Sequence, residues 1–363
     1  MVALTIQLQG RGLGEVVALT TEITRRMADW RAPDLSDRVR PGSVRDKYVR
    51  LVLPPTTDVC CEPAAYVLRD AMRYSVAIPQ ANHFASPESL SAMANAVEDL
   101  GYDGLWIADH IVVPVGEGYV PDVMLEPLAL LPWLAARTNH VRLGISVLVL
   151  PYRDATFTAK YISSLDALCD GRLELGVGAG WLEREFEAVS VPFSERGPRT
   201  DEAIRVMRNL WDNDTCSFEG EFKRYTDMRM FPKAGPSRRG RTVPITVGGN
   251  SKAAIRRAAE LGDGWHPMAL TPAKLAEKVP AYHAACERFE RKPGPVNVRV
   301  QAGGLKLAEG RRLLTGSPDQ QAQDVRDFAA AGAEELMLTA TGKSVHDLID
   351  NVRAFIRGVV PRV

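Results

Sequence analysis

The feature that most limits the folds open to this chain is the regularity that sets in at Met72. From there short β-rich runs and helical patterns alternate to the C-terminus. "YSVAIP" is followed by "PESLSAMANAVEDLG", in which Leu90, Met93, Ala94, Val97 and Leu100 recur at helical spacing, with Pro87 as a start signal and Gly101 as a stop. "GLWIAD" leads to "EPLALLPWLAART", "VRLGISVLV" to "ATFTAKYISSLDALCDG", and "RLELGVG", after an insertion, to "RTDEAIRVMRNLW". "VPITVGG" leads to "SKAAIRRAAELG", "DGWHPM" to "TPAKLAEKVPAYHAACERF", "VNVRVQAG" to "SPDQQAQDVRDFAAAG", and "EELMLTAT" to "VHDLIDNVRAFIRG". Strands joined by crossovers of helical length run parallel, because only a connection of that length returns the chain to the same end of a sheet. Roughly eight such units in about 290 residues have the count and size of a (β/α)8 barrel. The expected fold class is therefore α/β, a TIM barrel over residues 72–363. The main insertion, over residues 214–242, stands before the fifth barrel strand.

Residues 1–71 read differently. "DWRAPDLSDRVRPGSVRDKYVRLVLPPTTDVCCEP" mixes charges, prolines and short apolar pieces without a sustained period, and is expected to be an irregular extension. One reading makes Met72 the true start and the segment before it a start-site artefact. The first residues lack the basic start and unbroken apolar core of a signal peptide, and no apolar run reaches about 18 residues, the length of a membrane span. The 363 residues carry 45 basic and 45 acidic side chains, so the basic excess that marks nucleic-acid or membrane-surface binding is missing. Five scattered cysteines argue against a disulfide scaffold and for a reducing cytoplasm.

In such a barrel the chemistry collects where strands end and helices begin. Those positions hold Gln80, then Asp109 and His110, Ser146 and Val147, and the segment Gly176, Val177, Gly178, Ala179, Gly180 and Trp181. Further on they hold Gly248, Gly249 and Asn250, then Trp265 and His266, and finally Thr339 to Gly342. A mouth of this kind suits a planar cofactor with a phosphate tail. The glycines of "RLELGVGAGW" do not make a dinucleotide fingerprint. The third glycine comes one place early, and about 20 residues on lies "FSERGPR", which is no strand. A tight corner and a backbone-amide cradle both remain open for them. "GGNSKAAIRRAAE" is a phosphate candidate, with Asn250 or Ser251 capping a helix whose N-terminus favours anions, though an ordinary capped turn has the same form. Arg153, Arg196 and Arg199 fall on loops at the mouth, with solvation as the default. "RRGR", Arg238 to Arg241, reads as a solvated loop. The histidines lack metal-ligand spacing, and no metal site is expected.

The segments "VEDLGYDGLWIADHIVVP", "VRLGISVLVLPYRD", "DALCDGRLELGVGAGWLEREFEAVSVPFSERGPRTDEAI" and "PITVGGNSKAAIRRAAELGDGWHP" occur in this order, and the part of the chain from Met72 onward resembles the luciferase-like flavin and deazaflavin oxidoreductases. It is most similar to the branch taken to use coenzyme F420. The resemblance implies hydride transfer between C5 of the deazaflavin and a small organic substrate, a homodimer, and His110 against the cofactor as proton donor or polariser. It implies Asp109 orienting the histidine ring or binding cofactor, and a non-proline cis peptide at Ser146 and Val147 behind the ring. It places the amides of Gly178, Ala179 and Gly180 against the cofactor, and Gly248, Gly249 and Asn250, with His266 nearby, at its phosphate tail. Gln80 and Trp265 complete the expected cofactor set. FMN is the alternative cofactor, in a monooxygenase for which the 214–242 insertion would serve as a lid. A barrel that only binds cofactor is a further alternative, since a shared fold does not guarantee activity.

Overall fold

The computed structural model describes residues 72–116, 118, 120–234 and 242–363. The extension read over 1–71 and the "RRGR" loop lie outside the described residues.

Eight parallel strands form the barrel: β1 (Arg73–Ala77), β2 (Gly104–Ile107), β3 (Arg142–Val149), β4 (Leu173–Gly178), β7 (Ile245–Gly248), β8 (Gly264–His266), β9 (Asn297–Gln301) and β10 (Glu335–Thr339). Their order in the sheet is β8-β7-β4-β3-β2-β1-β10-β9. The two end strands meet through bridges between Trp265 and Val296 and between Met268 and Arg299, which close the sheet on itself. Closure removes the exposed strand edges that an open sheet would carry.

Helices on the outside cover the strands. They are α1 (Pro87–Asp99), α2 (Pro127–Ala135), α3 (Ala155–Leu168), the short α4 (Glu183–Ala188), α5 (Arg196–Asp212), α6 (Lys252–Leu261), α7 (Pro272–Arg288), α8 (Pro318–Ala330) and α9 (Val345–Ala354). Their starts are set by local chemistry. Ser86, Asp154, Ser251, Thr271, Ser317 and Ser344 each accept a hydrogen bond from a first-turn amide, which satisfies one of the four donors a helix leaves open. In α1 the predicted face Leu90, Met93, Ala94 and Val97 is buried.

The insertion is a hairpin of β5 (Cys216–Glu219) and β6 (Arg224–Met228). Its partners lie along the outer helices: Glu202 of α5 accepts the amides of Glu221 and Phe222, Tyr225 bonds Asn209, and Lys223 pairs with Asp154 at the start of α3.

At the N-terminal end of the barrel the interior is ionic. Arg142 bridges Glu174 and Glu335, Arg73 and Ser75 also reach Glu335, and Asn297 donates to Glu174. These partners come from β1, β3, β4, β9 and β10, so the cluster plugs that end and leaves the C-terminal mouth as the open one.

Candidate active site

The strand ends gather into one constellation. Gln80 is buried and clamps the exit of β2. Its side-chain oxygen accepts from the Ala108 amide at 2.6 Å, and its amide group donates to the carbonyls of Ala108 and Leu125. Gln80 thus sets the direction in which the next residues leave the strand.

His110 stands at that exit. Its Nδ1 lies 3.0 Å from a carboxylate oxygen of Glu185, and the edge of Trp181 packs against its ring at 6.2 Å between centroids. A carboxylate only accepts, so Nδ1 carries the proton shared with Glu185, and Nε2 makes no hydrogen bond to the protein among the described residues. The Glu185 side chain has no exposed surface and also accepts from the Ile111 and Val112 amides and from Tyr152 Oη at 2.8 Å. Burial alone would raise its carboxyl, yet the bonds from His110, Ile111 and Tyr152 outweigh it and hold the group below the usual carboxylate range.

Glu185, not Asp109, orients the imidazole. Asp109 points the other way, accepts the Val149 amide at 2.8 Å, and takes a two-pronged contact from Arg153 at 2.7 and 2.8 Å. Arg153 also reaches Glu126, so it is a buried tie between β2, β3 and α2 and not a solvated loop residue. Burial works against the Arg153 charge, but the two carboxylates prevail and hold the guanidinium above its ordinary value. Arg196 and Arg199 belong to α5 and not to a loop. They lie over the rings of Phe193 and Phe222.

The Ser146–Val147 peptide is cis, and the β3–β4 register shifts between Ile145 and Leu148. Glycines of the neighbouring strands make room for the projecting Val147. A Cβ on Gly178 would come 2.6 Å from one Val147 methyl, and a Cβ on Gly248 would come 2.6 Å from the other. The bulge is held from across the barrel as well. Arg299 donates to the Ser146 carbonyl at 2.7 Å and to its hydroxyl at 3.2 Å, and that hydroxyl lies 2.8 Å from His266 Nε2. Burial, reinforced by the Arg299 charge, lowers His266 to about 4.

Several expected contacts are redistributed. His266 is buried inside the barrel, stacked on Trp106 at 5.9 Å. Trp265, its neighbour on β8, points to the opposite side because strand side chains alternate. Its ring packs on Tyr282 and its N–H donates to the Gly249 carbonyl, so it is a core residue behind the barrel wall. The Gly249 amide is taken by the His266 carbonyl. Asn250 ties both backbone groups of Met268, and Ser251 is the cap of α6. Gly180 has φ +79°, where a Cβ would meet Phe186 at 2.8 Å, so both conformation and space call for glycine there. Ala179, beside it, is half-buried.

Sequence reasoning missed Glu185, Tyr152 and Arg299. A signal existed for Arg299, a charged residue inside the strand "VNVRVQ" at the same parity as Asn297. For Glu185 there was none, because "EREFE" offers three glutamates in five residues.

Val147 is half-buried and projects between Gly178 and Gly248, where a Cβ on either glycine would meet its methyls. A fused-ring cofactor fits these residues. A parallel barrel with a histidine held by a buried carboxylate at one strand end and a bulged strand beside it is the class of fold that the geometry defines, and the sequence comparisons supply the family. The family signature described as luciferase-like monooxygenase matches residues 71–305, and the chain belongs to that family. An uncharacterized protein of Mycobacterium tuberculosis is 37% identical over 186 residues, 48% of this chain and 62% of that protein. The chain thus spans a little under two thirds of that relative. The F420-dependent glucose-6-phosphate dehydrogenase of Kineococcus radiotolerans is 32% identical over 282 residues, 75% of this chain and 76% of that protein. Among solved structures, the oxygenating constituent of 3,6-diketocamphane monooxygenase of Pseudomonas putida, in complex with FMN, superposes with a TM-score of 0.67 at 15% identity. It covers 81% of this chain and 99% of that one, and shows the shared fold.

Proposed function

We propose that this chain is a coenzyme F420-dependent oxidoreductase that moves a hydride between the deazaflavin and a small organic substrate. The observation that carries the reading is the pairing of His110 with buried Glu185 at the strand ends that also carry the glycine-flanked Val147 bulge. The F420-dependent relative from Kineococcus supports the choice of cofactor. When bound, the deazaflavin supplies a carbon that accepts or returns a hydride. Val147 and the flanking Gly178 and Gly248 would back its ring.

The chain's own residues supply the rest. Glu185 fixes the imidazole so that Nε2 faces the mouth. Nε2 then takes the hydroxyl proton of an alcohol as its carbon loses hydride, or gives a proton to a carbonyl oxygen in the reverse direction. Tyr152 and the Ile111 and Val112 amides keep Glu185 from swinging away. The ring is thereby pre-oriented, the condition for efficient proton transfer.

The monooxygenase reading with FMN drew on the 214–242 insertion as a lid. The described part of that insertion packs on α5 and on the start of α3, and the choice of the deazaflavin over FMN is supported by the relative from Kineococcus. Titration of the protein with F420 and with FMN, followed by fluorescence, separates the two. Binding of F420 with little affinity for FMN is expected, whereas tight FMN binding without F420 binding overturns the assignment.

A homodimer in a reducing cytoplasm belongs to the same proposal. In support, Cys169, Cys216 and Cys286 are free, buried thiols, and α3 carries exposed Phe157 and Leu168 on its outer side. Among the described residues no helix is long and apolar enough to cross a membrane.

A further inference from the structure

Arginines that reach into the barrel are mostly paired with carboxylates, Arg73 with Glu335 among them. Arg142 lies between Glu174 and Glu335, and Arg153 between Asp109 and Glu126. Arg299 is different. Its Nε donates to Thr339 Oγ1 at 3.2 Å and its Nη1 to the two oxygens of Ser146, all neutral groups. Among the described residues no carboxylate pairs with it, and its Nη2 makes no hydrogen bond to the protein. Its closest titratable neighbour, His266, is neutral and offers no anion.

Arg299 is half-buried, and proteins ordinarily pair a cation that is partly withdrawn from water. Burial lowers even this guanidinium to about 10. An arginine kept in that state inside the barrel has one donor edge left for an anion that comes from outside.

Its place relative to His110 follows from the register. Ile107 pairs with Ile145. Ser146, which Arg299 touches, is one residue beyond that pair, and His110 is three residues beyond its own side of it. Arg299 therefore lies deeper along the strands than His110, with Ser146 and His266 as its neighbours. Above both, the rim loops carry exposed apolar side chains: Ile111 at 39%, Val112 at 43%, Leu125 at 36%, Trp181 at 58% and Met268 at 48%. Side chains of this kind suit a hydrocarbon or aromatic body and give a polyol little to bond to.

We propose that the substrate is an amphiphilic organic acid, whose carboxylate is held by Arg299 inside the barrel and whose apolar body lies along the rim. This deepens the oxidoreductase reading and rests on it for the reaction. The hydroxyl or carbonyl carbon that reacts would sit between the two, within reach of His110 Nε2. Electrons balance as before. The carbon loses or gains a hydride in exchange with the deazaflavin, the oxygen loses or gains a proton in exchange with His110, and the carboxylate is unchanged.

The test is a binding experiment on the cofactor-free full-length protein, read by tryptophan fluorescence with Trp106 and Trp181 as reporters. The probes are octanoate, acetate, octanol, inorganic phosphate and glucose 6-phosphate. Octanoate is expected to bind most tightly, and Arg299→Met is expected to weaken it roughly tenfold or more, the range for loss of a charged hydrogen bond. Arg299→Lys, which keeps the charge, should retain part of the affinity and guards against a variant that fails to fold, as does circular dichroism of each protein. The proposal is overturned if phosphate or glucose 6-phosphate binds more tightly than octanoate, or if Arg299→Met binds octanoate unchanged. It is equally overturned if that variant loses F420 instead, since the guanidinium would then serve the cofactor. Because octanoate binding is measured without cofactor, a failure of F420 to bind would refute the oxidoreductase reading separately.

Discussion

At His110 the decisive partner is a carboxylate 75 positions away in the sequence. Glu185 accepts from the imidazole, two backbone amides and a tyrosine, so a ring at the end of a strand becomes a fixed proton carrier. His110→Ala should lower kcat by about 10²–10⁴, the usual contribution of a positioned acid–base group, while F420 affinity measured by fluorescence stays the same. Glu185→Gln keeps the shape but removes the charge and one acceptor. It should cost turnover on the order of tenfold through the tilt of the ring, and an undiminished rate would rule out the anchoring role. His110 was legible in the sequence because it follows the apolar run "GLWIAD". Its anchor was not, because helical parity decides which of Glu183, Glu185 and Glu187 turns inward, and that parity depends on where α4 starts.

At the level of elements, the site depends on how β3 bulges between two glycine-bearing neighbours. Gly178 on β4 and Gly248 on β7 leave space for the methyls of Val147, and Arg299 and His266 hold Ser146 from the far wall. The glycines read from the sequence as backbone donors to the cofactor thus act first as clearance. Gly248→Val should displace Val147. We expect lost F420 affinity together with about 1–3 kcal/mol of destabilisation from overpacking, seen in a cofactor titration and in urea unfolding. Retained affinity at unchanged stability would mean that Val147 does not back the ring. Similarly, Trp265 and His266 were both assigned to the mouth from their position at a strand end. Alternation lets only one of two adjacent residues face inward, and the pairing of β8 with β7 and β9 selects His266.

For the whole molecule, the barrel interior is ionic at its closed end and built around neutral His266 toward its mouth. This has a signature in the pH dependence of stability. His266 falls from 6.5 to about 4 on folding. Between those values the unfolded chain binds a proton that the folded chain does not, so stability decreases as pH falls through that window. The slope is at most ~1.4 kcal/mol per pH unit for one group. Glu335 is shifted in the same direction for the opposite reason, since its charged form is the one favoured. Burial alone would raise it, but Arg142 and Arg73 hold it below 4.5, so its contribution is present above 4.5 and lost only at more acid pH. His266→Asn should therefore flatten the loss of stability near pH 5 and leave the more acid loss in place, as measured by urea unfolding across the range. An unchanged slope would show that another group titrates there. The sequence by itself determined the eight strand–helix units, their parallel order, the helix starts and the strand ends at which chemistry had to lie. These follow from short-range periodicity and from the lengths of connections. Only the tertiary structure decided that Glu185 meets His110, that Arg153 closes on Asp109, that Trp265 leaves the site and that Arg299 enters it without an anion. Those are encounters between strands far apart in the chain, and they depend on sheet register and barrel closure, which no local pattern of residues records.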